Sequence, residues 1–282
     1  MEVLSPLRDP NDVGGLVAAG ADALYCGLAG LSSRPRGADL TLEEVAHAAG
    51  CCNELKRPLY VAINGCLDQE RLERAKRGAL EAERLGASAL IVADWGLSRF
   101  CLGHLTSAEV HISTLAGVQN SATTRLLHEL GARRVVLSSN LTLTEIAEIV
   151  HAVPGLDYEI VAEGGVCFND NRLCELPHSA SDGAGYRVGC RRTYTYRADD
   201  RGEAPARTIG GNQASAERLV ALFSAIGVDS LKIEGRTRDR AWALESTARL
   251  RRAVDEVQEP DPGLLHYVSR LREADNPDKG GR

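Results

Sequence analysis

The stretch GASALIVADW, residues 86–95, contains the joint that decides the fold of this chain. Gly86 can supply the left-handed backbone conformation that commonly ends a helix, and the apolar run Ala89–Ala93 follows as a short strand. Polar Asp94 and aromatic Trp95 come directly after that strand. The same joint of glycine and strand recurs at Gly20, Gly131 and Gly227. This repetition is typical of βα units stacked in a parallel sheet.

Eight strands, each followed by a helix, are predicted when the pattern is followed along the chain. The predicted strands are Glu2–Leu4, Ala23–Cys26, Leu59–Asn64, Ala89–Ala93, Val110–Ser113, Arg134–Leu137, Tyr158–Ala162 and Ser230–Ile233. The predicted helices are Asn11–Ala19, Thr41–Lys56, Gln69–Leu85, Gly96–Leu105, Ser121–Leu130, Thr142–Val153, Ala214–Ile226 and Arg238–Val257. This count favours an α/β fold of the TIM-type (β/α)₈ barrel class. An open Rossmann-like sheet is the alternative, but no GxGxxG follows the first strand.

The domain organisation follows from the same pattern. Residues 1–258 are predicted to form the barrel domain, with a long cysteine-bearing loop, 163–192, after the seventh strand. Residues 259–282 form a polar C-terminal tail, which we expect to fray.

Composition sets limits on location and partners. The 282 residues are 44% hydrophobic and carry a formal net charge of −6, with no basic tract, so nucleic acid is predicted to be an unlikely partner. The first residues lack a signal-peptide pattern, and no run of eighteen apolar residues predicts a membrane span. We therefore expect a cytoplasmic protein without membrane contact, whose eight cysteines are thiols, metal ligands or redox groups.

The loop 163–192 contains Cys167, Cys174 and Cys190, separated by six and then fifteen residues and surrounded by polar residues and glycine. Such a segment buries little apolar surface, so thiolates closing on a metal would help to order it. The spacing favours an iron–sulfur cluster, while zinc and plain thiols stay open as alternatives. The fourth ligand would be Cys66, Cys26, a non-cysteine group or the substrate, or the site would have no fourth ligand.

Polar groups gather at the predicted carboxyl ends of the strands, where barrel enzymes place their active sites. His111 and Glu234 are candidates for proton transfer, although His111 could equally be a histidine satisfied by a neighbour. Asn64 is expected to point inward, and Arg236 could bind a substrate carboxylate, its alternative being an internal salt bridge. Loop arginines are predicted on the same face: Arg34, Arg36, Arg187, Arg191 and Arg192, of which Arg191 is the substrate-binding candidate. No GxSxG, HExxH or P-loop occurs.

Several segments together resemble the collagenase-like "peptidase U" family across about residues 2–256. They are EVLSP, GADALYCGL, LYVAIN, HIST, RVVLSSNLTLTEI, the Cys-x6-Cys loop and SLKIEGR. The resemblance implies a TIM-type barrel that holds a [4Fe–4S] cluster, with Cys167, Cys174 and Cys190 as ligands. It also implies an oxygen-independent hydroxylase that takes its oxygen from prephenate. Ser139-Asn140 departs from the Arg-Glu usual in the family, which suggests a different acceptor.

The chain resembles in size the small paired proteins of anaerobic ubiquinone synthesis, and it lacks the further domain of the RNA-modifying branch. We therefore predict an iron–sulfur-dependent hydroxylase that uses prephenate or a similar anionic donor on a small-molecule acceptor. A homologous partner subunit or a homodimer is expected. The alternatives are a non-catalytic iron–sulfur partner subunit of a homologous hydroxylase and a metal-dependent collagenase-like peptidase.

Overall fold

Eight parallel strands close into a barrel in the computed structural model, which describes residues 1–33, 39–166 and 213–257 together with six two-residue strands between 180 and 208. The barrel strands are β1 (Glu2–Pro6), β2 (Ala23–Gly27), β3 (Leu59–Ile63), β4 (Ala89–Val92), β5 (Glu109–Ile112), β6 (Arg134–Val136), β7 (Asp157–Gly165) and β8 (Ser230–Glu234). Each strand pairs in parallel with the next, and β8 pairs with β1. The predicted TIM-type barrel is confirmed.

The helices lie around this barrel. They are α1 (Val13–Ala18), α2 (Leu42–Glu54), α3 (Gln69–Arg84), α4 (Trp95–His104), α5 (Ser121–Glu129), α6 (Leu143–Ala152), α7 (Val220–Ile226) and α8 (Arg240–Asp255). No helix in the part of the chain that the structure describes is long and apolar enough to cross a membrane.

One helix begins later than its sequence predicts. Residues 214–219 were expected to open α7, but Gln213–Ser215 instead pairs antiparallel with the end of β7, opposite Glu163–Gly165. A short 3₁₀ turn, Glu217–Leu219, then leads into the helix. The pairing satisfies backbone groups of the part of β7 that extends past the end of β6, which is a tertiary contact that helix propensity does not register.

The glycine joints have the geometry that the sequence indicates. Gly86 and Gly227 both adopt φ +100° between a helix and the following strand. This left-handed conformation is strained for any residue with a Cβ, so glycine lets each helix end abruptly and turn back into the sheet.

The core has two layers because alternate strand residues face opposite sides of the barrel wall. In β3, Val61 and Ile63 belong to the large apolar cluster between the wall and the helices. Tyr60 and Ala62 belong to the small cluster inside the barrel, which also contains Tyr25. Residues in register with Tyr60 and Tyr25 therefore face the barrel interior, and those just past the strand ends form its mouth.

Candidate active site

A hydrogen-bonded bridge crosses the mouth above the end of β4. Asn64 follows β3, Ser113 follows β5, and the Asn64 Nδ2 donates to Ser113 Oγ at 3.3 Å. The Asn64 Oδ1 accepts from the backbone N–H of Ser33 at 3.1 Å. Both side chains therefore lie at the mouth, and the predicted inward orientation of Asn64 agrees with these contacts.

Trp95 is the first residue of α4, which begins shortly after the end of β4. Asp94 caps this helix by accepting from the backbone N–H of Leu97 at 2.8 Å, which fixes the start of the helix at the mouth. The side chain of Trp95 is 36% exposed. Sequence analysis placed Trp95 at the strand end but gave it no role.

Glu234 lies at the end of β8 in contact with Tyr25. The Tyr25 hydroxyl is 3.2 Å from Glu234 Oε2 and 3.0 Å from the carbonyl oxygen of Ile233, and it donates toward both. Lys232 Nζ lies 4.3 Å from the Tyr25 ring centroid, and the Arg236 guanidinium lies 5.5 Å from it. The Glu234 carboxylate at the mouth is thus oriented by the buried Tyr25 phenol, whose ring lies near the Lys232 and Arg236 cations.

Arg236 forms an internal ion pair and is 2% exposed. Its Nη1 lies 3.4 Å from Asp39 Oδ1 and 3.2 Å from Ser32 Oγ, and the Ser32 hydroxyl reaches both oxygens of Asp39 at 2.8 Å. Gly27 makes room for this pair, since a Cβ there would lie 2.0 Å from Asp39 Oδ1. This arrangement matches the internal salt bridge considered as the alternative. Binding of a substrate carboxylate by Arg236 stays a prediction.

His111 lies deeper in the barrel than its position in the sequence indicated. Its ring is completely buried, its Nε2 lies 3.0 Å from Glu109 Oε2, and it packs edge-on against Tyr60 at 4.8 Å between centroids. Burial lowers the pKa of His111, which favours the neutral ring. Glu109 is the first residue of β5, so the ring contacts the amino-terminal end of the barrel instead of the mouth. A catalytic role for His111 stays a prediction.

A network of buried charges closes that amino-terminal end, and sequence analysis missed it. Lys232 Nζ lies 2.9 Å from Glu159 Oε1, and Arg134 Nη1 lies 3.2 Å from Glu159 Oε2. Arg134 also pairs with Glu2 Oε1 at 2.6 Å. Burial alone would raise the pKa of Glu159, but Lys232 and Arg134 hold it below its ordinary value. The sequence feature that could have indicated this network is the alternation of Ser230, Lys232 and Glu234, which places polar side chains on the inward face of β8.

The predicted cluster ligands Cys167, Cys174 and Cys190, and the candidate Arg191, lie outside the residues that the structure describes. Of the two fourth-ligand candidates, Cys26 belongs to the apolar cluster between barrel and helices, and burial raises its pKa to about 12. Cys66 is exposed after β3. Cys66 is the more accessible of the two, and a role for either as a ligand stays a prediction. Among the residues described, no three His, Cys, Asp or Glu side chains are grouped to hold a metal.

A sequence profile described as Peptidase family U32 matches residues 9–276. The chain belongs to Peptidase family U32. Two relatives in this comparison are named for RNA modification. The "23S rRNA 5-hydroxycytidine C2501 synthase" of Escherichia coli is 29% identical over 95% of the chain and 41% of the relative. The "tRNA hydroxylation protein P" of Helicobacter pylori is 27% identical over 98% of the chain and 69% of the relative.

The fold of this U32 chain also matches a solved structure described as that of the U32 peptidase Mk0906. The TM-score is 0.50 at 16% sequence identity, over 61% of this chain and 75% of the other. That likeness supports the barrel alone. The chain spans about two fifths of the length of the Escherichia coli synthase, so that protein's full activity does not transfer directly.

The prediction of a small-molecule acceptor, with nucleic acid an unlikely partner, is wrong. The relatives of this U32 chain are named for hydroxylation of tRNA and of 23S rRNA. The exclusion of nucleic acid rested on the net charge of −6, and the small-molecule acceptor rested on the resemblance in size to the ubiquinone-synthesis proteins and on the expected lack of a further domain. A net charge is a property of the whole surface, whereas an RNA substrate is bound by local contacts, so the bulk value was a poor guide.

Proposed function

We propose that the chain hydroxylates a base in RNA without molecular oxygen. The observation that carries this proposal is the extent of its match to RNA-hydroxylation relatives, 95% and 98% of the chain. The mouth supports the proposal because an amide and a hydroxyl, those of Asn64 and Ser113, are hydrogen-bonded to each other there. These are groups that bind an unstacked base.

The oxygen would come from an anionic hydroxyl donor such as prephenate. In the net reaction the base exchanges one hydrogen for the hydroxyl of the donor, and the donor takes up that hydrogen. The base is oxidised by two electrons, and the donor is reduced by the same two. Arg236 and Arg191 are the candidates to bind the carboxylates of the donor. Arg236 would do so by giving up its ion pair with Asp39 and pairing with a carboxylate of the donor instead.

Cys167, Cys174 and Cys190 would hold a [4Fe–4S] cluster, which supplies one-electron redox chemistry. Cys66 is the accessible candidate for a fourth ligand. The strand β7 ends at Gly165, two residues before Cys167 in the sequence, so the cysteine loop leaves the barrel at the mouth. Glu234, oriented by Tyr25, would accept or return a proton at its carboxylate during the exchange.

The test is a reaction of the anaerobically purified full chain with bulk tRNA and rRNA and a donor labelled with heavy oxygen in its hydroxyl. Digested nucleosides would be examined by mass spectrometry. A hydroxylated nucleoside that carries the heavy oxygen is the expected product. Unlabelled hydroxynucleoside would point to another oxygen source, and cleavage of gelatin without any change in RNA would replace the proposal with a peptidase. Iron and sulfide analysis checks the cluster separately.

A further inference from the structure

We infer that Trp242 is a positioning residue, which fixes the backbone between Glu234 and Arg236. The inference rests on the proposed function, in which Glu234 moves a proton and Arg236 binds a carboxylate of the donor. Gly235 alone separates these two residues in the sequence, so a shift of its backbone moves both side chains. Trp242 lies in the first turn of α8 and acts on this backbone, not on the substrate.

The indole of Trp242 packs directly on Gly235. A Cβ at Gly235 would lie 2.2 Å from Trp242 Cζ3, 3.0 Å from Trp242 Cε3 and 3.2 Å from Pro6 Cγ. The ring therefore occupies the space into which a side chain at position 235 would extend, and Pro6 borders the same space. Glycine allows this close approach of a ring to the backbone, and the contact leaves the backbone little room to move.

The same ring borders a second glycine, on the neighbouring strand. Gly164, near the end of β7, is in register with Glu234 of β8 and has φ +94°. A Cβ at Gly164 would lie 2.1 Å from the carbonyl oxygen of Glu234 and 3.2 Å from Trp242 Cη2. The six-membered part of one indole thus contacts the backbone beside Glu234 on two strands, so it holds the ends of β7 and β8 in a fixed relation.

Local contacts keep the indole in place. The backbone N–H of Trp242 donates to Asp239 Oδ1 at 2.8 Å, which caps the start of α8. The backbone N–H of Arg238 donates to the carbonyl oxygen of Gly235 at 2.8 Å and closes the turn between strand and helix. The Arg238 guanidinium carbon lies 5.4 Å from the indole centroid, within cation–π range. Because helical side chains lean toward the start of their helix, the ring lies back over this turn.

The experiment compares Trp242→Leu and Trp242→Phe with the wild type, as anaerobically purified full chains supplied with bulk RNA and prephenate. The readouts are the maximal rate of hydroxynucleoside formation and the prephenate concentration that gives half of it. Trp242→Leu should lower the rate by about 10- to 100-fold, since a displacement of about 1 Å at a reacting group can cost about 100-fold. It should also raise the half-saturating prephenate concentration, because Arg236 moves too. Trp242→Phe keeps a ring against Gly235 and should restore much of both.

Phe100→Leu is the matched control. Phe100 is an aromatic residue of α4 that stacks on His104, with 4.1 Å between ring centroids, and lies under Lys76 of α3. This variant also loses a packed ring, but it should keep the wild-type rate and prephenate dependence. Gly235→Ala should act like Trp242→Leu, because its Cβ displaces the indole. The two changes combined should cost less than the sum of their separate effects, since leucine can turn away from the Cβ.

Fluorescence supplies a readout that needs no turnover. The chain has two tryptophans, so Trp95→Phe leaves Trp242 as the one source of indole emission. Prephenate should change this emission with saturation, because the backbone under the ring shifts when Arg236 leaves Asp39 for the donor. The Trp242→Phe chain, which keeps Trp95, should show no such change.

The outcomes separate the inference from the proposed function. Melting curves verify that each variant is folded. If the wild type hydroxylates RNA and folded Trp242→Leu keeps its rate and prephenate dependence, or Phe100→Leu loses as much, the inference is refuted while the proposed function survives. If the wild type forms no hydroxynucleoside, the proposed function fails and the emission decides. A saturable change then supports Trp242 as a residue that positions the donor-binding backbone, and no change overturns it.

Discussion

The substitution Lys232→Met tests the buried charge network at the closed end of the barrel. Methionine keeps an unbranched chain of similar length but removes the ammonium 2.9 Å from Glu159 Oε1. The Glu159 side chain is 0% exposed, so the carboxylate cannot turn to water. Breaking a buried ion pair by removing one partner costs about 3–5 kcal/mol. Arg134 still contacts the other oxygen, which places the expected loss near the lower limit, about 3 kcal/mol.

The measurement is the free energy of unfolding in urea at neutral pH, with Lys76→Met as the matched control. Lys76 Nζ lies 2.8 Å from Glu73 Oε1, almost the same distance, but the two side chains are 28% and 49% exposed. An ion pair in water contributes little, so the control should lose no more than about 0.5 kcal/mol. Adding Glu159→Gln to Lys232→Met should recover part of the loss, because the unpaired buried charge is then gone.

The loss of unfolding free energy in Lys232→Met should also depend on pH. In the wild type the folded-state pKa of Glu159 is lowered, so its stabilising contribution is present above the unfolded pKa and is lost as the pH falls through the folded one. In Lys232→Met the ammonium that lowers the pKa of Glu159 is gone, so burial raises the folded-state pKa of this carboxyl. The penalty of the variant should then shrink on acidification toward the ordinary carboxyl range. A pH-independent loss, or a loss no larger than that of Lys76→Met, would refute the reasoning.

One further substitution probes the mouth, and one labelling experiment probes the cysteines. Gly27→Ala places a Cβ 2.0 Å from Asp39 Oδ1 and 2.4 Å from Arg236 Nη1. The substitution should therefore lower the free energy of unfolding in urea by about 1–3 kcal/mol. An unchanged stability would mean that the Asp39–Arg236 ion pair can move aside at no cost. In the metal-free chain, iodoacetamide at mildly alkaline pH, followed by peptide mass spectrometry, should modify exposed Cys66 and spare Cys26, whose pKa burial raises to about 12. Rapid labelling of Cys26 in the folded chain would contradict its placement in the core.

The sequence predicts which face of a strand a residue occupies better than how deep in the barrel it lies. His111 and Ser113 have the same parity and both face inward, as the alternation implies. Ser113 reaches the mouth, whereas His111 is one layer lower and contacts Glu109. Depth depends on where the strand begins relative to its neighbours, and this register is a tertiary property.

The sequence also does not predict which residues from distant parts of the chain contact each other. SLKIEGR identified Arg236 as important, but its ion-pair partner Asp39 is 197 positions away in a different loop. The eight-unit barrel, by contrast, follows from local signals: glycine joints, apolar strands and capped helix starts each act over a few residues. The late start of α7 shows the limit of these signals, since pairing with β7 decided it.

The closed floor of the barrel has a kinetic consequence. Glu2, Arg134 and Glu159 join strands across the amino-terminal end by ion pairs, so a ligand would have to reach the interior from the mouth. A small donor and a large RNA would therefore share a single entrance. If the proposed donor binds deeper in the barrel than the base, it would have to arrive before the RNA and leave after it, and steady-state kinetics would then follow a compulsory order in which excess RNA traps or excludes the donor.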